Sequence, residues 1–353
     1  MFVPSKAPDE WLLASYPKPW WYRASPRTPS TLVHRAPNAK EQVLIAQSQQ
    51  LLASTAAKAI ALFDGRSLVW VGYKQPAHAN SLFMGFSLGK AVTAAAIGKA
   101  ICAGFLAMDT RAEELVPQLK GTALGRSTTR ELLCMSSGAP IVNADSTFFT
   151  ERHWEEWNSG SLDLVRALAD PTVAQLVDER GTQAQPHFAY KAQDPIALGL
   201  MMHRATGVPY VDWVHREILT PMGLAHEGIL SQTLTGHALA DAPIRMRLED
   251  WVRFARWLKS ESVNEGQFGD FLREATKTQV SNSDKRFGPR FDGYGYMFWT
   301  DNNLAPATFW ATGMGGQRIG WSYDNDRMLI AFSNREDWMD PLHRLYKAWS
   351  ELS

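Results

Sequence analysis

Apolar and polar positions follow two different rhythms along this chain, and the changes between them locate its elements. Over residues 41–58 (EQVLIAQSQQLLASTAAK) apolar side chains recur at helical intervals. Directly afterwards, AIALFDGRSLVWVGY holds two apolar runs around Asp64-Gly65. Asp-Gly between such runs predicts a hairpin, because both central turn positions then tolerate positive φ. From Ser87 to about Met108 the pattern is helical and alanine-rich. Residues 127–138 (STTRELLCMSSG) read as a helix opened by a Ser/Thr cap with Glu131 and closed at Gly138. Helical spacing over 161–178, 193–205, 208–219 and 247–260 makes the stretch between about 109 and 285 mostly helices and loops. Strand character returns at 292–300, 308–312, 317–323 and 327–333, the last two joined by a turn at Asp324-Asn325-Asp326. Residues 340–352 close the chain as an amphipathic helix with Pro341 in its first turn.

Strands at both ends with helices between them predict an α+β fold. One antiparallel sheet is built from N- and C-terminal segments and flanked by helices, and the middle of the chain forms a mostly helical lobe. The expected layout is an N-terminal arm over 1–40, rich in Pro, Ser and Trp, then an α/β lobe from 41–108 together with 285–353. The helical lobe is 109–284, and the active site lies between the lobes. No internal repeat or low-complexity linker divides the chain.

Charge and composition narrow the function. Lys plus Arg and Asp plus Glu are 36 each, so the formal net charge is zero and electrostatic capture of nucleic acid or an anionic membrane is not expected. The most membrane-like stretch, Ala91 to Met108, is interrupted by Lys99 and weakened by Gly98 and Gly104, so it reads as a buried helix. The N-terminus lacks a basic start followed by an apolar core and a small-residue cleavage site, which predicts a cytoplasmic protein. Cys102 and Cys134 sit in apolar segments without metal-ligand spacing and read as small buried hydrophobes. No histidine pair has metal spacing beside an acid, and no phosphate-binding glycine loop carries its lysine. No metal and no cofactor are expected; the expected partner is a small ester or amide substrate.

The chemistry concentrates at residues 85–90, Gly-Phe-Ser-Leu-Gly-Lys, which satisfy two catalytic patterns at once. Gly85 to Gly89 matches the G-x-S-x-G elbow of α/β-hydrolases, and Ser87 to Lys90 matches S-x-x-K. The elbow needs a buried parallel strand before it, yet HANSLFMGF carries His78, Asn80 and Ser81. S-x-x-K needs a helix starting at the serine, which the alanine-rich run supplies. A spacing of three puts Ser87 and Lys90 on one helical face, and the helix N-terminus adds positive potential where an alkoxide forms. A capping serine followed by a solvated lysine is the bland alternative. Lysine has an ordinary pKa near 10.4, and lowering it by one unit takes about 1.36 kcal/mol, so a neutral lysine base at pH 7 needs roughly 4–5 kcal/mol of desolvation or cationic neighbours. A tyrosine beside a charged lysine offers a second route for the proton, and Tyr190 in Pro-His-Phe-Ala-Tyr-Lys-Ala (186–192) is the candidate.

These segments resemble the serine β-lactamase and penicillin-recognising enzyme family. Phe188, Tyr190, Thr206-Gly207 and Pro221-Met222-Gly223-Leu224 follow the order of that family's tyrosine segment and its two succeeding helices. Thr128 to Gly138 is similar to its T-x-R-x-L-L-x-M-x-S-G stretch, and Gly313-Met314-Gly315-Gly316-Gln317 sits where the family carries Lys-Thr-Gly or a variant. The resemblance spans roughly residues 55–335 and is most like class C-type esterases and 6-aminohexanoate-dimer hydrolases. It implies a β-lactamase/transpeptidase-like fold and an acyl-enzyme mechanism in which Ser87 is nucleophile and Lys90 and Tyr190 handle protons. It further implies an oxyanion hole from the backbone N–H groups of Ser87 and Gln317, with Met314, Gly315, Gly316 and Ala192 beside the substrate.

The departures are informative. Ala192 stands where class C β-lactamases have an asparagine, and Met314 replaces the lysine that draws in a β-lactam carboxylate. Arg318 lies four residues on, about 13 Å along a strand, and is a poor substitute. Both changes favour a neutral ester or amide over a β-lactam. Lys191 and Arg318 read as a solvated face. Trp154 and Trp157, in a loop-rich ERHWEEWNSG stretch, and Trp299 and Trp310 are either pocket-lining or packing residues, among 14 tryptophans. The rival readings are a β-lactamase or D-amino-acid peptidase, and a non-catalytic penicillin-binding-like sensor or scaffold.

Overall fold

The computed structural model describes residues 18–175, 187–242, 244–283 and 285–352. The first 17 residues of the expected N-terminal arm and the end of the expected helix over 161–178 lie outside them, as does Pro186 of the tyrosine segment.

The α+β architecture is present. The larger sheet has nine strands: β2 (Val33–His34), β3 (Ala57–Phe63), β4 (Ser67–Tyr73), β8 (Val280–Ser281), β9 (Phe291–Tyr294), β10 (Trp299–Asn302), β11 (Thr308–Gly313), β12 (Gln317–Ser322) and β13 (Met328–Ser333). Their order across the sheet is β2-β4-β3-β13-β12-β11-β10-β9-β8. N-terminal β3 pairs antiparallel with C-terminal β13, and among the described strands only β2 against β4 is parallel. Every residue of β3, β12 and β13 is buried, because helices cover both faces. Helices Ala39–Ser54 and Met339–Ser350 pack on one side and Leu248–Val263 on the other.

Local chemistry explains several elements. Asn38 caps the Ala39–Ser54 helix in a capping box with Glu41. Glu41 is fully buried, and the guanidinium groups of Arg35 and Arg327 hold its carboxyl down at about 2. In the β3–β4 hairpin Gly65 has φ +88°, and the Asp64 carboxylate accepts the N–H groups of Arg66 (3.1 Å) and Ser67 (2.7 Å).

Several boundaries differ from expectation. The 292–300 strand is two strands, β9 and β10, with Met297 at φ +65° between them. The helix after Ser87 ends at Cys102 rather than near Met108, and Gly104 takes φ +77°. The 127–138 helix ends at Leu133, and the 161–178 helix breaks into Leu164–Leu168 and Pro171–Ala174, where Pro171 starts a new turn. The ERHWEEWNSG stretch is the helix Glu151–Ser159, with Thr150 as cap and Gly160 (φ +82°) as terminator, not a loop. A second sheet escapes the pattern entirely. It consists of β1 (Tyr22–Ala24), β6 (Gly228–Leu230), β7 (Ile244–Arg247) and β5 (Leu82–Met84), in that spatial order. Its three- and four-residue strands are too short to show a period of two. This small sheet delivers the chain to Ser87.

Candidate active site

β5 ends at Met84, and the backbone then turns sharply. Gly85 donates its N–H to Ile244 O on β7 (3.1 Å), and a Cβ there would lie 2.6 Å from the Trp251 ring. Phe86 follows at φ +48°, a conformation that costs a bulky residue of order 1–3 kcal/mol and persists only where the surroundings impose it. Phe86–Leu88 form a 3₁₀ turn that runs straight into the Gly89–Cys102 helix. Nearly all of that helix is buried, and its run of alanines lets neighbouring backbones approach closely. Ser87 thus sits where a strained strand-to-helix turn meets a rigid central helix.

Lys90 is on the first turn of the helix and only 2% exposed. Its Nζ donates to Ser87 Oγ at 2.7 Å and to the Asp241 carbonyl at 3.2 Å. The Tyr190 ring lies under the same ammonium, 4.9 Å from Nζ to the ring centroid. S-x-x-K is therefore a formed contact and not a cap with a solvated lysine. Among the described residues the side chain bonded to the Ser87 hydroxyl is Lys90 and not a histidine, as an elbow-type triad needs.

Tyr190 is itself buried in an aromatic cluster. Its ring stacks on Trp299 (5.2 Å, 27°), lies 5.2 Å from Phe287 and meets Tyr294 edge-on at 6.1 Å. The next residue corrects an expectation. Lys191 is fully buried, not on a solvated face: Nζ is 3.3 Å from the equally buried Asp194 and donates to Ala189 O (3.0 Å) and Met135 O (3.4 Å). Asp194 also accepts from Ser137 Oγ (2.6 Å) and Ser137 N (3.3 Å). Burial raises the Asp194 carboxyl, opposed chiefly by the Lys191 charge. This clamp ties the tyrosine segment to residues 135–137. Ala192 is buried beside it and donates its N–H to Ser146 O (2.9 Å).

The glycine-rich segment is the hairpin between β11 and β12. Gly313, the last residue of β11, lies against the turn that leads into Ser87, where an added Cβ would come within 2.2 Å of Gly85 O. Gly315 and Gly316 take φ +80° and +100°, and a Cβ on Gly316 would face Arg335 O, Met339 and Ser333, away from Gly85. Met314 is half-buried. Gln317 pairs with Gly313; its buried side chain donates to Met314 O (2.5 Å) and accepts from Ser333 N (3.0 Å). Arg318 is a second correction: it is 6% exposed, not solvated, and donates to Gly313 O and Gln317 O (both 2.9 Å) while pairing with Glu336. It braces the hairpin from inside.

The sequence reading missed Asp241, whose Oδ1 is buried without a hydrogen-bond partner. Burial raises its carboxyl, and Lys90 is the first group to oppose the shift. No motif marks it, because it reaches Lys90 only through the fold. The tryptophans divide. Trp299 stacks on Tyr190, whereas Trp310 packs against His343 (4.6 Å) and Tyr346 (4.9 Å), and Trp157 is buried on the Glu151–Ser159 helix. Burial pushes the Cys134 thiol up to about 12, and Cys102 is half-buried; both are free. Among the described residues no group of three or more His, Cys, Asp or Glu is placed to hold a metal ion, and no helix is long and apolar enough to cross a membrane.

The Beta-lactamase family model matches residues 48–352, most of the chain. The chain belongs to the beta-lactamase family. Solved structures of similar shape include a putative 6-aminohexanoate-dimer hydrolase from Bacillus anthracis, with a TM-score of 0.68 and 17% identity over 93% of this chain and 89% of that one. EstCE1, a hydrolase with promiscuous acyltransferase activity, gives 0.67 and 14% over 88% and 98%. A Beta-Lactamase/D-Alanine Carboxypeptidase from Pseudomonas syringae gives 0.66 and 15% over 90% and 100%. At these identities the likeness shows the beta-lactamase fold alone. No curated protein matches the chain.

Proposed function

We propose that this beta-lactamase-family protein is a serine hydrolase that cleaves an ester or amide through an acyl-enzyme, with Ser87 as nucleophile. The observation that carries the reading is the 2.7 Å bond from buried Lys90 Nζ to Ser87 Oγ, with the Tyr190 ring beneath the same ammonium. A surface lysine would lose this contact to water, whereas a lysine 2% exposed keeps its amine aimed at the hydroxyl.

In the proposed cycle Ser87 Oγ attacks the carbonyl carbon, and its proton passes to the Tyr190 oxygen under the influence of Lys90. Backbone N–H groups of Ser87 and of the β11–β12 edge, Gln317 by the motif match, hold the oxyanion. The proton then goes to the leaving alcohol or amine. Water, deprotonated by the same pair, adds to the acyl carbon, and Ser87 regains its proton as the acid departs. With Met314 in place of a lysine, nothing on this edge attracts the carboxylate of a β-lactam.

A fluorophosphonate probe should label the folded protein at Ser87, and Ser87→Ala should remove both labelling and turnover of short p-nitrophenyl esters. A folded protein that stays unlabelled sinks the reading. Nitrocefin hydrolysis faster than ester hydrolysis points instead to a β-lactamase, an activity for which the Pseudomonas syringae neighbour is named.

A further inference from the structure

The small sheet, on the side where Trp21 packs, buries an arginine with no acidic partner among the described residues. Arg245, on β7, is 7% exposed. Its Nη1 donates to Ser231 Oγ (3.1 Å), Nη2 lies 3.3 Å from the weakly accepting sulfur of Met84, and Nε has no partner. No aspartate or glutamate among the described residues pairs with it, and burial alone lowers its pKa to about 10. The guanidinium stacks on the Trp21 ring, 4.5 Å from carbon to centroid, and Trp21 in turn meets Trp157 at 6.2 Å. The indole N–H groups of Trp21 and its neighbour Trp20 are also buried and unpartnered.

An unpaired buried cation is among the most costly arrangements a protein can keep, and here the unmet groups beside it are all donors. Donors without acceptors, one of them half of a planar fork, suit a small oxyanion, and a carboxylate matches the guanidinium edge. Met84 is the strand partner of Arg245 and stands three residues before Ser87. Pairing distance plus three extended residues bounds the separation of the two Cα atoms at about 16 Å.

We propose that Arg245 and Trp21 form a carboxylate subsite, so that the substrates are esters or amides whose acyl part ends in a free carboxylate. The subsite rests on the serine-hydrolase reading for its catalytic meaning. It also changes the expectation of a neutral substrate: the charge is taken up at the small sheet instead of at Met314.

The test uses two readouts on the full chain. In the first, glutarate should raise the melting temperature saturably at fixed ionic strength, by a few degrees, while the neutral diamide glutaramide should not. Arg245→Gln should abolish the shift, and Trp21→Phe, which keeps the stack but loses the N–H, should weaken it. In the second, kcat/KM for the p-nitrophenyl hemiester of glutarate should exceed that of its methyl-capped analogue at least tenfold. That ratio should fall below about twofold in Arg245→Gln and decline in Trp21→Phe. Ser87→Ala should lose turnover and keep the glutarate shift, which separates the two proposals. An absent shift in the wild type, an equal shift with glutaramide, or an undiminished shift and ratio in both variants overturns the subsite.

Discussion

The ion pair beside Tyr190 provides a quantitative test of how the site is held. Lys191 and Asp194 are both 0% exposed and 3.3 Å apart. Replacing Lys191 by methionine keeps most of the stem but leaves the Asp194 carboxylate with only Ser137 donating to it. Removing one member of a buried pair costs about 3–5 kcal/mol. For 353 residues an unfolding entropy of about 2.1 cal/mol/K per residue gives roughly 0.7 kcal/mol/K, so the melting temperature should fall by roughly 4–7 °C. The pH dependence has a definite sign. Burial already holds the Asp194 carboxyl above its ordinary range, and Lys191 is the main group pulling it down. A carboxyl whose folded pKa is raised contributes most below its unfolded value, near 3.9, and its contribution is lost as pH rises through the folded value. Without Lys191 that folded value rises further, so the deficit of Lys191→Met should be larger at about pH 8 than at about pH 5. The double variant Lys191→Met/Asp194→Asn removes the stranded charge and should recover at least half of the loss. Urea-unfolding midpoints of the three proteins at both pH values decide the matter. A deficit that does not change with pH, or a double variant no more stable than the single, refutes the argument.

Three further outcomes follow from the site. Tyr190→Phe should keep the aromatic cluster and the melting temperature but lower kcat on p-nitrophenyl esters by about 10²–10⁴, the range of a lost proton-transfer group. Gly313→Ala forces a Cβ to within 2.2 Å of Gly85 O, so the strand edge must retreat from the turn that leads into Ser87; kcat/KM should fall at least tenfold while KM changes little. Asp241→Asn removes a buried negative charge near Lys90. Because burial raises that carboxyl, its charge is lost on the acid side as pH falls through the raised value. The wild-type rate should therefore carry an acid limb that flattens in Asp241→Asn, read from kcat/KM against pH.

What the sequence made legible was local. Asp64-Gly65 announces a turn because two backbone positions need positive φ, and Asn38 with Glu41 announces a helix start because the reciprocal bonds span only three residues. Ser87 and Lys90 were readable for the same reason, being one helical turn apart. Tyr190 was found only through its flanking segment, since nothing about a tyrosine 100 residues away says which ring it will stack on. Charges were misread where burial came from distant elements. Lys191 is a core residue because Asp194 and two carbonyls reach it, and Arg318 because it braces a hairpin against Glu336. The glycines of 313–316 were visible, but not the direction each Cα faces: Gly313 looks to Gly85 in the turn before Ser87 and Gly316 to the core. Many tryptophans proved to be struts between elements. Trp349 donates to Phe63 O and Met328 O, Trp321 to Ala255 O, Trp251 to Phe83 O and Trp213 to Ala96 O.

Those struts bear on why the turn before Ser87 can tolerate a strained backbone. Ser87 stands at the junction of two sheets: β5 of the small sheet leads in, and β11 of the large sheet closes over Gly85. Trp251 touches both sides of that junction: its indole N–H bonds Phe83 O of β5, its ring edge fills the space that a Gly85 side chain would need, and its ring lies 5.8 Å from that of Phe332 on β13. The strain at Phe86 is then imposed from two directions, by the bond from Gly85 to Ile244 of β7 and by the β11 edge at Gly313. Relaxing either contact would remove part of what holds Phe86 at φ +48° just before Ser87. The turn that carries the hydroxyl is thus held by how two sheets pack.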